Sequence, residues 1–104
     1  MPREPIIDEI KARLTAKHGP RLRGVVIFGS EARGEARPDS DVDVLVLLAG
    51  PIDYGRDLEA NIEALYPLSV RIGRRISPKP VDEAEYDKAN CPLYRTAHAE
   101  GIVI

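Results

Sequence analysis

The chain is short of cysteine, of charge of one sign and of long apolar runs, and each shortage excludes something. Its one cysteine, Cys91, rules out an intramolecular disulfide and fits a reducing compartment. Nothing beside that thiol would activate it as a nucleophile, so it reads as a small apolar filler before a helix. No apolar run approaches membrane-spanning length and no signal-peptide pattern opens the sequence. The expectation is a cytoplasmic protein with no membrane partner. Fifteen Lys and Arg stand against 17 Asp and Glu, a net charge of −2, so no global basic field draws in nucleic acid, and direct nucleic-acid binding is not expected. There is no internal repeat, low-complexity tract or linker. The 104 residues read as a single domain, 1–104, large enough for a core.

What is present alternates between helical and strand periodicity. Ile6, Ile7, Ile10 and Leu14 recur at helical spacing until Gly19-Pro20, predicting a helix over 4–18. Residues 22–29 form a short β-branched strand, Ser30–Gly34 a short helix and 35–40 a loop. Residues 41–48 make a second strand whose later half is apolar on both faces, as inside a sheet. Leu58, Ile62 and Leu65 predict a helix over 53–66, ended by Pro67. Alternation of Leu68, Val70 and Ile72 with Ser69, Arg71 and Gly73 then predicts a third strand within 68–77. Pro78 and Pro80 make the next segment extended but not a central strand, and 82–87 a short acidic helical turn. Pro92 suits a helix first turn, Gly101 closes that helix, and Ile102-Val103-Ile104 is a final strand or a docking strip. The fold class is α/β, a small mixed β-sheet covered by helices.

Between the first two strands lies Gly29-Ser30, then ten residues, then Asp41-Val42-Asp43 running into Val44-Leu45-Val46-Leu47-Leu48. Side chains alternate along a strand, so Asp41 and Asp43 project from one face. Two carboxylates side by side repel unless a cation compensates, and hard oxygens suit Mg²⁺, which keeps several waters. Gly29 lets backbone approach a phosphate without a side chain in the way; Ser30 and the amides after it face the same point. Arg33 would meet a terminal phosphate with its planar fork, and Ser40 would steady the approach to Asp41. Gly-Ser alone is usually a turn, and Asp41 alone a strand opening. Asp43, flanked by valines in an apolar run, resists that explanation. Arg71, Arg74 and Arg75 form a local cluster that serves a phosphate, a protein partner or merely a solvated strand end.

The segment Phe28–Leu48 resembles the signature of the nucleotidyltransferase superfamily that includes DNA polymerase β. It is more closely similar to the minimal nucleotidyltransferases, and the ending Pro92-Leu93-Tyr94-Arg95 through Glu100-Gly101-Ile102-Val103 also looks like theirs. The resemblance implies the polymerase β-like fold, with the Gly-Ser turn and both aspartates at one edge of a cleft. It implies Asp41 and Asp43 as catalytic metal ligands, Mg²⁺ as cofactor and ATP as substrate; the residues read above as suited to phosphate, Gly29, Ser30 and Arg33, with Ser40 in support, are then the candidates at the nucleotide. Minimal nucleotidyltransferases commonly pair with an all-helical HEPN-type toxin. There they act as antitoxins that transfer AMP to a toxin tyrosine or bind the toxin directly. A homo-oligomer is compatible with this reading.

One departure stands out. The superfamily usually carries a third carboxylate on a later strand, able to accept the proton of the attacking hydroxyl. The strand predicted within 68–77 has no acid, and Asp82 and Glu83 follow Pro80, beyond reach. The departure favours a second reading, a nucleotidyltransferase-fold binding module that neutralises a toxin by covering it. Transfer to a small molecule such as an aminoglycoside is a third, and it needs a substrate domain from elsewhere.

Overall fold

The computed structural model describes residues 3–29, 34, 40–88 and 92–104. Helix α1 (Arg3–His18) leads through a 3₁₀ turn (Gly19–Arg21) into β1 (Leu22–Phe28). After β2 (Val42–Leu48) come α2 (Tyr54–Ile72), β3 (Ile76–Asp82), α3 (Glu83–Lys88), α4 (Pro92–Glu100) and β4 (Ile102–Val103). The predicted short helix over Ser30–Gly34 and the loop after it lie almost wholly outside the described residues. The four strands form one sheet in the order β3-β2-β1-β4. It is mixed: β1 runs antiparallel to β2 and β4, whereas β2 and β3 are parallel, as a strand-helix-strand crossover requires.

The two faces of β2 build two cores. Val42, Val44, Val46 and Leu48 pack with Ile10 and Leu14 of α1 and Leu65 and Leu68 of α2. Leu45 and Leu47 face the other way, against Val26, Val81, Tyr86 and Ala97. A sheet buried on both faces explains why β2 is apolar at successive positions rather than alternating. Tyr86 of α3 stacks on the His98 ring, and burial pushes its phenol up from its ordinary pKa.

The sequence misplaces one boundary, with consequences for the site. Helix α2 does not stop at Pro67; the proline lies inside it and the helix runs on to Ile72. An interior proline loses one hydrogen bond and clashes with the preceding turn, costing about 3 kcal/mol. Leu65 and Leu68 are fully buried and Ile72 packs beside them, and each such side chain contributes about 1.5–3 kcal/mol. Leu65, Leu68 and Ile72 follow helical spacing, and Val70, which a half-buried strand would cover, is exposed. Burial outweighs the proline. The helix ends instead at Gly73, in the left-handed region at φ 67°, where the Arg74 N–H donates to the Ser69 carbonyl. The third strand therefore starts at Ile76 and contains Pro78 and Pro80, tolerated because β3 is a sheet edge. Ile102–Val103 settle as the final strand, and the Ile104 N–H just beyond it donates to the Val25 carbonyl.

A buried polar network ties the crossover together. Asn61, fully buried on α2, donates to the Pro78 carbonyl at 3.0 Å and accepts from His18 Nε2. Asp57 accepts two guanidinium bonds from Arg21, at 2.9 and 3.1 Å, and one from the Asp53 backbone N–H. The Arg21 guanidinium holds the buried Asp57 carboxyl below the usual carboxylate range. Its contribution is thus complete above the unfolded carboxyl pKa of about 3.9 and fades as pH falls through the lower folded value. Asp57→Asn is expected to cost about 2 kcal/mol at pH 7. The gap to the parent protein should narrow below about pH 4, as urea unfolding at the two pH values would measure.

Candidate functional site

The strand ends nearest the aspartates are the C-terminal end of β1 and the N-terminal ends of β2 and β3. Asp43 pairs in register with Phe28 across the antiparallel ladder and with Ser77 across the parallel one. It is half-buried and shares its face of β2 with Leu45 and Leu47; Asp41 stands exposed just before the strand. Gly29 leaves β1 at φ 72°, a conformation that favours glycine. A Cβ there would meet Asp43 Oδ2 at 2.5 Å. The turn therefore presses bare backbone against the carboxylate. Of the residues singled out in the sequence, Gly29 and Asp43 are brought together, while Ser30 and Arg33 lie outside the described residues.

The arginine cluster divides by task, which nothing in its spacing foretold. Arg71 pairs with Glu9 of α1, which holds that carboxyl below its ordinary pKa, with Arg13 assisting. Arg74 Nε donates to the Ser40 carbonyl at 2.8 Å, and its own carbonyl accepts from Ser69 Oγ. The Arg75 carbonyl accepts from Val42 N–H at 2.8 Å. The bend between α2 and β3 thus grips the backbone on both sides of Asp41. Arg74 acts through the polypeptide it holds, a positioning role hidden while 68–72 is read as strand.

The later strand offers no third acid near the pair. Its position beside Asp43 is Ser77, and its one acid, Asp82, pairs with Leu48 at the opposite end of β2, five residues or roughly 16 Å along the strand. Asp82 is in the strand rather than beyond it, yet its Oδ1 accepts from Ala84 N–H, starting α3. Among the described residues no group of three or more His, Cys, Asp or Glu is placed to hold a metal ion. Two carboxylates and close-packed backbone fit a hard cation that keeps most of its water.

A small mixed sheet with helices on both faces, and a glycine turn set against an acidic strand opening, defines a polymerase β-like nucleotidyltransferase fold. The Nucleotidyltransferase domain family model matches residues 7–103. A Methanocaldococcus jannaschii protein with the provisional name of a protein adenylyltransferase is 28% identical over 104 residues, 100% of this chain and 99% of its own. Protein adenylyltransferase MntA of Thermococcus cleftensis is 40% identical over 78 residues, covering 73% of this chain and 77% of that protein. A crystal structure of a toxin-antitoxin with AMP-PNP shares the fold, with a TM-score of 0.65 at 20% identity over 98% of this chain and 72% of that one. The chain belongs to the nucleotidyltransferase domain family, as a minimal domain resembling toxin-antitoxin adenylyltransferases. Among the described residues no helix is long and apolar enough to cross a membrane.

Gly29→Ala is expected to cost about 2 kcal/mol, from positive-φ strain and the clash with Asp43. Part of that loss should vanish in an Asp43→Ala background, where the carboxylate is gone. Unfolding of both single variants and the double variant would give the coupling.

Proposed function

We propose that the protein transfers AMP from ATP to a tyrosine hydroxyl of a HEPN-type toxin and thereby acts as its antitoxin. The observation that carries this reading is the backbone of Gly29 held bare against Asp43, a cradle that any side chain would fill. Kinship with protein adenylyltransferases supports the chemistry, and the likeness to a toxin-antitoxin with AMP-PNP supports the setting. Gly29, Ser30 and Arg33 would receive the phosphates, and Ser40 would steady Asp41. Asp41 and Asp43 would hold Mg²⁺, which when bound supplies charge neutralisation for the departing pyrophosphate. The acceptor oxygen attacks the α-phosphorus, the bond to the β-phosphate's bridging oxygen breaks, and the hydroxyl proton passes to solvent, since position 77 offers no carboxylate.

Arg74 and Arg75 would keep the acidic opening of β2 in place through the attack. Their bonds to the backbone on both sides of Asp41 fix the polypeptide that carries its carboxylate. Such pre-set geometry is what lets a small site contribute to rate by positioning. Asp41→Asn with Asp43→Asn should reduce AMP addition to the toxin at least about a thousandfold. Intact-mass measurement of the toxin after incubation with ATP and Mg²⁺ reads it; undiminished addition would discard the site.

Ser77 favours a second reading, neutralisation by complex formation with little or no transfer. Under it the double asparagine variant still protects cells and still co-purifies with the toxin. Restoring the missing acid separates the two. Ser77→Asp should raise the transfer rate about a hundredfold if proton removal limits the reaction, and leave it at background if the protein acts by covering alone. Single-turnover assays with labelled ATP would read the difference.

A further inference from the structure

Helix α2 and the edge strand β3 enclose an open groove of about 550 Å³. Tyr54, Leu58, Ile62 and Tyr66 line its helical wall at four-residue spacing, one stripe of α2. Three of them are unusually bare for such large side chains: Tyr54 is 52% exposed, Ile62 47% and Tyr66 65%. An apolar stripe of this kind along a cleft marks a contact surface. The strand-side wall brings Arg75 and Lys79, and no acid is among the described lining residues. The groove is therefore apolar along its floor and cationic along one rim.

The edge itself restricts what enters. Pro78 and Pro80 have no N–H to offer an added strand, and the Pro78 carbonyl is already taken by Asn61. A partner cannot extend the sheet there by backbone pairing. The groove reaches the same end of the sheet as the candidate site but lies on the α2 side, whereas Asp43 shares the opposite face with Leu45 and Leu47.

We infer that this groove seats a segment of the partner as an amphipathic helix, its apolar face on the α2 stripe and its carboxylates against Arg75 and Lys79. That the partner is the toxin rests on the function proposed above; the seat and the chemistry of its occupant do not. Apolar burial supplies the affinity, and the two cations select the sign of the partner's flanking charge.

Two synthetic amphipathic helical peptides of equal length test this, each with a Leu/Tyr face, one flanked by glutamates and the other by lysines. Fluorescence anisotropy with the intact protein, without ATP, should show the glutamate peptide binding at least about tenfold more tightly. Arg75→Glu with Lys79→Glu should reverse that preference. Ile62→Ser with Tyr66→Ser should weaken the glutamate peptide about tenfold, with circular dichroism confirming an unchanged fold. Equal binding of the two peptides, indifference to the charge reversal, or a concentration-dependent dimer that blocks the groove (a second copy as its occupant) would overturn the inference. Because no nucleotide is present, absent AMP transfer leaves this result standing, and absent peptide binding leaves the transfer assay intact.

Discussion

The approach of the Gly29 backbone to the Asp43 carboxylate is the constraint on which the rest of this small domain turns. It demands a residue without a side chain, at a positive φ, at the point where β1 ends. It also demands an acid at the second position of β2, where neighbours on both sides are valines packed into the core. Each requirement carries a cost. A half-buried carboxylate at a strand opening loses hydration, and a left-handed turn loses conformational freedom. The apolar positions of β2 that follow, sealed on both faces, absorb those costs.

The crossover from β2 to β3 performs a second task. Helix α2 reaches from the Asp53 cap, whose side chain accepts from Arg56 N–H, to the left-handed Gly73. Asn61 and Asp57 fasten its middle to β3 and to the 3₁₀ turn after α1. That fastening sets where the bend at Arg74-Arg75 falls, and the bend in turn grips Ser40 and Val42 around Asp41. A polar network remote from the aspartates thus governs how firmly one of them is presented.

The position beside Asp43 divides two ways of working. An acid there would complete a metal-binding trio and take a proton from the attacking oxygen; a serine does neither at neutral pH. Near that position the charged residues are cations, Arg75 just before β3 and Lys79 within it, while the strand's one acid, Asp82, lies at its far end. Charge on this side of the site suits the recognition of an acidic partner better than the activation of an acceptor. Binding and transfer need not carry equal weight here.

The alternation of helix and strand, the apolar β2 and the glycine turn were legible along the chain, because each is a local pattern with a local cause. Gly101 closing α4 was legible for the same reason. Pro67 was misleading: its local preference for ending a helix is real, and only the burial of Leu68 and Ile72 against a distant sheet overrides it. With that boundary went the true third strand, the identity of Ser77 as the neighbour of Asp43, and the separate duties of Arg71, Arg74 and Arg75. The sequence by itself determined which residues can turn, pair and ionise. The tertiary structure alone decided which of them meet, because strand register and helix length depend on contacts between residues far apart in the chain.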